Sequence, residues 1–136
     1  MRIESRARAR ALQAIYAWDM RGEQNLERVS QQIWDDLSVT ADERKLASML
    51  LRTLLQEGKS LDRQLAEVTT NWRLERLGAI DRSVLRLAAA ELHRGETPPR
   101  VVLREAIRLA ERYGSPASAR FVNGVLDGLA RKMGRL

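Results

Sequence analysis

Met1-Arg2-Ile3-Glu4-Ser5-Arg6-Ala7-Arg8-Ala9-Arg10-Ala11-Leu12-Gln13-Ala14-Ile15-Tyr16-Ala17-Trp18-Asp19-Met20-Arg21 opens the chain and sets its character. Arginines crowd the start, and an apolar helical pattern follows. At about 100° per residue, Ala11, Leu12, Ile15, Tyr16 and Trp18 share one broad face. Arg2, Arg6, Arg10, Gln13 and Arg21 fall on the other, with Arg2, Arg6 and Arg10 in one row at i, i+4, i+8. Arg8 points differently, toward the edge that becomes core further along, and is expected to project past the end of that core. With Glu4 as the one acid nearby, like charges in the row repel, and an anionic partner relieves them. Two readings stay open from spacing alone: a nucleic-acid surface or a solvated helix face.

Outward from this helix the chain reads as helical almost throughout. Ala, Leu, Arg and Glu dominate, and aromatic residues are few. Breakers fall at Gly22, Gly58, Gly78, Gly95 with Thr97-Pro98-Pro99, and Gly114-Ser115-Pro116. Thr40-Ala41-Asp42-Glu43 has the form of a capping box. Ser115-Pro116 reads as an N-cap with proline at the first helical position, and Thr97-Pro98-Pro99 resembles the same device. The pattern predicts helices near 4–20, 26–37, 41–57, 60–71, 79–94, 99–113 and 117–132. The fold class is therefore all-α, about seven helices in one domain. Its N-terminal half is 1–71 and its C-terminal half 79–136, with a hinge over Asn71–Gly78 that includes Trp72.

Composition bounds the function. The 136 residues suit a single moderate core. No apolar run is long enough for a membrane span or a signal peptide, which points to the cytoplasm. The absence of cysteine excludes disulfides and thiolate metal sites. Net charge is +6, and it is uneven: +3 over residues 1–21, −2 over 22–78 and +5 over 79–136. Of 24 basic residues 21 are arginine, whose planar fork suits phosphates and base edges. A GC-rich genome accounts for the arginine total but not for its clustering.

Glu91 falls within the apolar arc of Ile80, Val84, Leu87, Ala88 and Leu92, so it needs a partner. An arginine or the Pro98-Pro99 helix start are the candidates. In the last helix Phe121, Val122, Val125, Leu126, Leu129 and Met133 form the apolar face. Arg120, Asn123, Asp127 and Arg131 lie opposite with Gly124 and Gly128, which permit close approach of another helix. Arg120 and Asn123 suit RNA phosphates and base edges, and Phe121 offers a ring for stacking if exposed. His93, the one histidine, sits at a helix end with no nucleophile motif beside it. Asp35-Asp36 and Asp42-Glu43 read as surface charge and capping, not metal ligands. Nothing supports an enzyme, and no cofactor or metal is implied.

Three segments carry a family resemblance: Arg6 to Trp18; Ile80-Asp81-Arg82-Ser83-Val84-Leu85-Arg86-Leu87-Ala88-Ala89-Ala90-Glu91-Leu92; and Pro99 through Glu105-Ala106-Ile107-Arg108-Leu109-Ala110 and Tyr113-Gly114 to Phe121-Val122-Asn123-Gly124-Val125-Leu126-Asp127. In them the chain resembles the NusB family of bacterial transcription antitermination factors. The resemblance implies two small helical bundles packed together. It implies a heterodimer with NusE, a ribosomal small-subunit protein, that binds boxA RNA of ribosomal RNA transcripts. That pair joins other Nus factors on RNA polymerase, suppresses premature termination and catalyses nothing. By position, Arg2, Arg6, Arg8, Arg10 and Tyr16 match the RNA-contacting first helix, and Arg120, Phe121 and Asn123 match the start of the last. Asp81 matches an acidic position near the partner or RNA surface. The chain departs from the pattern at Glu4, which interrupts the basic run. It departs again at Gly114–Ser118, which is apolar where others carry charge. Two alternatives accompany this reading. One is a homodimer that masks the basic helices. The other is a detached domain related to the N-terminal part of a ribosomal RNA cytosine methyltransferase, whose cysteine-bearing catalytic part this chain lacks.

Overall fold

A computed structural model describes residues 2–22, 25–69 and 73–136. Its helices are α1 (Ile3–Arg21), α2 (Leu26–Asp36), α3 (Ala41–Val68), α4 (Ala79–Arg94), α5 (Pro99–Tyr113) and α6 (Pro116–Lys132). A short 3-10 turn, Leu74–Arg76, leads into α4. No strand occurs among the described residues, and no helix there is long and apolar enough to cross a membrane.

α1 packs on α2, α3 and α4, while α5 packs on α4 and α6. α4 thus touches both groups, and α3 also reaches α6. The central position of α4 follows from its sequence: Val84, Leu85, Leu87, Ala88, Ala89, Ala90 and Leu92 are all buried. Small alanines let helices approach on more than one side. One continuous cluster joins these residues to Leu12 and Ile15 of α1, Leu61 and Leu65 of α3, and Leu126 and Leu129 of α6. Trp34 of α2 is buried, and its Nε1 donates to the Arg10 carbonyl at 3.1 Å. A buried indole needs such an acceptor.

The caps at Thr40 and Ser115 form as the sequence predicts. Thr40 Oγ1 accepts from the Glu43 amide at 3.3 Å and donates to Glu43 Oε2 at 2.8 Å. Ser115 Oγ accepts from the Ser118 amide at 3.1 Å. Thr97 behaves otherwise. Pro98 is the N-cap of α5 without a side-chain bond, and the Thr97 hydroxyl donates instead to Glu91 Oε2 at 2.9 Å. A buried carboxylate is the stronger acceptor.

Two expected segments, 41–57 and 60–71, are one helix that runs through Gly58 and ends at Val68. Glycine costs about 1 kcal/mol in a helix interior. Burial of Leu50, Leu51, Leu54, Leu61 and Leu65 on both sides of it outweighs that cost. The expected hinge is also different in its described part. Asn71 and Trp72 lie outside the described residues. Leu74 is buried, and Arg82 Nη1 donates to the carbonyls of Leu74 and Leu77 at 3.3 and 2.7 Å. That guanidinium ties the connector to α4.

Candidate nucleic-acid interface

α1 distributes its arginines by helical angle. Arg2, the N-cap residue, is exposed and makes no capping bond. The Arg6 side chain is 45% exposed, with its Nε 3.6 Å from Glu43 Oε1 of α3. Arg10 is half-buried, with its Nε 3.5 Å from the same oxygen and Nη1 donating to Gln13 Oε1 at 3.3 Å. Glu43 therefore stands between two arginines of the row and moderates their repulsion, a partner that the sequence reading missed. Thr40's hydroxyl, and then Arg10 and Arg6, hold the Glu43 carboxyl below the usual carboxylate range against the opposing pull of burial.

Arg8 does not project past the core. It is buried, and its Nε and Nη2 donate to Glu91 Oε1 and Oε2 at 2.8 and 2.7 Å, a fork-to-fork pair. Its Nη1 lies 3.6 Å from Glu105 of α5. Burial alone would lower the guanidinium's pKa, but the Glu91 hydrogen bond and the charges of Glu91, Glu105 and Glu4 raise it. Ser5 Oγ donates to Glu105 Oε1 at 2.7 Å. The open question of Glu91's partner and the direction of Arg8 thus have one answer. The structure removes Arg8 from the expected surface, because its donors face buried carboxylates.

Three buried acids on three helices, Glu43, Glu91 and Glu105, hold the first turns of α1. Arg6 and Arg10 consequently sit on a helix held in place by its neighbours. Further along α1, Tyr16 is 37% exposed, although its helical angle groups it with the apolar face.

On α6, Arg120 and Asn123 are exposed, one turn apart. Phe121 is half-buried and packs against the core. α4 stands between α1 and α6, packing on both, and so sets the spacing of the two groups of residues. Gly128 meets Val68 of α3, with a would-be Cβ 3.8 Å away, whereas Gly124 faces open space. Asp81 lies half-buried in the first turn of α4, where a carboxylate also favours the helix dipole.

A second ionic cluster was not expected from sequence. Asp19 at the end of α1 accepts from Arg82 Nη2 at 2.6 Å and Arg86 Nη1 at 3.0 Å. Arg86 also donates to both Asp62 oxygens at 3.1 Å and lies over the Trp18 ring, 5.8 Å from its centroid. Burial raises the Asp19 pKa, but Arg82 and Arg86 outweigh it and hold the carboxyl low. The recurrence of Arg82 and Arg86 at i, i+4 was the available signal.

No group of histidine, cysteine or acidic residues suited to a metal occurs among the described residues. Among known proteins, the sequence pattern of the NusB family matches residues 5–131. A transcription antitermination protein NusB from Anaeromyxobacter dehalogenans (strain 2CP-1) is 43% identical over 127 residues, covering 93% of this chain and 89% of that protein. NusB of T. maritima superposes with a TM-score of 0.87 at 32% identity, over 94% of this chain and 90% of that one. A chain from the crystal structure of antitermination factors NusB and NusE with double-stranded RNA gives a TM-score of 0.89 at 27% identity, over 97% of this chain and 98% of that one. With its all-α architecture, its clamped basic first helix and these relatives along nearly its whole length, the chain belongs to the NusB family of transcription antitermination proteins.

Proposed function

We propose that this chain binds boxA RNA of ribosomal RNA operon transcripts in a pair with NusE, acting in the cytoplasm. The pair joins other Nus factors and RNA polymerase indirectly, and the chain itself performs no chemistry. The observation that carries the reading is an arginine row fixed on a rigid helix in a member of this family. Arg2, Arg6 and Arg10 supply phosphate contacts from α1, with Tyr16 beside them as a stacking surface. Arg120, Asn123 and Phe121 supply the second contact region from α6. Arg8 is a positioning residue in this scheme, since its donors are engaged by Glu91. Asp81, at the start of α4, is assigned to the partner side.

The test is RNA binding with and without NusE over a salt series. The reading expects weak binding by the chain alone, a large gain with NusE, and affinity that falls steeply with salt as counterions are released. No gain on adding NusE would overturn it. Sedimentation of the free chain separates a monomer from a homodimer that masks the basic helices.

A further inference from the structure

The solvent face of α5 carries a second arginine row. Arg100, Arg104, Arg108 and Arg112 recur at every fourth residue, and all four are exposed. At a 1.5 Å rise per residue they span about 18 Å. Val102, Ala106, Leu109 and Ala110, buried on the opposite side of α5, fix this face outward. Arg100, Arg104 and Arg108 make no ion pair or hydrogen bond through their side chains among the described residues. Arg112 lies over the ring of its neighbour Tyr113, 5.2 Å from the centroid. By contrast Arg8, Arg82 and Arg86 each meet a carboxylate within 3.1 Å. Like charges at i, i+4 repel; Glu111, three residues from Arg108, is the one exposed acid of α5 and forms no ion pair with the row, so the strip stays net cationic.

Its position connects it to α1. The Ser5–Glu105 hydrogen bond, 2.7 Å long, joins the first turns of α1 to the middle of α5. Arg6 follows Ser5 and Arg104 precedes Glu105, so each row has a member next in sequence to that contact. The chemistry of the face favours RNA over a protein partner. The large exposed apolar residues, Tyr16, Met20, Leu37, Leu55 and Leu136, all lie outside α5. A protein interface wants an apolar or aromatic centre, whereas phosphate contacts need only regularly placed cations.

We propose that the α5 row is a second RNA track, which grips the phosphates of single-stranded transcript flanking the element bound at α1 and α6. This rests on the RNA-binding reading above. Contacts of this kind carry affinity without sequence preference.

The test uses the full chain with NusE and two RNAs, boxA alone and boxA with single-stranded flanks. The variant is Arg100→Ala/Arg104→Ala/Arg108→Ala, with circular dichroism and a thermal melt to verify the fold. The expected result is unchanged affinity for the short RNA and loss of the gain that flanks give the wild type. The slope of log affinity against log salt on the flanked RNA should fall by about 2, at about 0.7 per phosphate contact. The corresponding triple lysine variant should restore that slope. Equal affinity and slope for wild type and triple alanine variant on flanked RNA would overturn the proposal. So would a triple variant that loses NusE but keeps flanked RNA, which would make the row a protein-contact surface. Wild type that binds short RNA but gains nothing from flanks defeats this proposal alone. Wild type that fails on both RNAs defeats the underlying reading and this proposal together.

Discussion

Arg6 and Arg8 are two positions apart on one helix and meet opposite environments. About 200° of rotation separates them, enough to place one guanidinium at the surface and the other between Glu91 and Glu105. Breaking a buried pair by removing one partner leaves uncompensated charge, at a cost of about 3–5 kcal/mol. Arg8→Ala is therefore expected to lower stability by that amount in urea unfolding at neutral pH. Arg2→Ala, at an exposed position, should stay within about 0.5 kcal/mol. Two carboxylates, Asp19 and Glu43, are held low by their partners and make stability depend on pH. Their folded pKa values lie below the unfolded ones, so their contribution is complete above the ordinary carboxylate range near pH 4. It is lost as pH falls through the depressed values. An Asp19→Asn/Glu43→Gln variant should be less stable than wild type at neutral pH and should lose less stability on acidification, which a urea series from neutral pH to about pH 2 would record. The need of Glu91 for a partner was legible in its sequence, because a carboxylate amid Val84, Leu87, Ala88 and Leu92 cannot stand alone. The identity of that partner was not, since Arg8 lies 83 residues away. Glu105 carries the same signal between Val102, Ala106 and Leu109.

Element boundaries were legible wherever local chemistry decides them. Gly95 ends α4 at φ 74°, and the guanidinium of Arg135 would lie 2.6 Å from any Cβ placed there. Thr40 and Ser115 start their helices through their own hydroxyls. Gly58 misled because a lone glycine is only a weak local signal, and leucine packing across it keeps α3 intact. A Cβ at Gly58 would find only Leu54 Cδ1, at 4.0 Å. Gly58→Ala is accordingly expected to raise stability by about 0.5–1 kcal/mol, read as a higher denaturation midpoint with unchanged slope. Gly95→Ala should lower it through the left-handed backbone, while the Arg135 guanidinium, at the end of a flexible side chain, can move aside.

At the scale of the whole molecule, α4 links two groups of helices and so fixes where the basic start of α1 stands relative to α6. The fold class was readable from helical periodicity, and the family from motifs spread along the chain. The interface was only partly readable. Spacing put Arg2, Arg6 and Arg10 in one row, but the depth at which each sits depends on the neighbouring helices that bring Glu43, Glu91 and Glu105 to α1. In the proposed function the outer arginines of this clamped helix meet RNA phosphates while the inner one holds the helix in place. The most direct measurement is boxA RNA binding by the NusE pair across a salt series, wild type against Arg2→Ala/Arg6→Ala. Weaker binding is expected, with a salt slope shallower by about 1.4 at about 0.7 per contact and a circular dichroism spectrum that shows the helices retained. Wild-type affinity and slope in the double variant would contradict it.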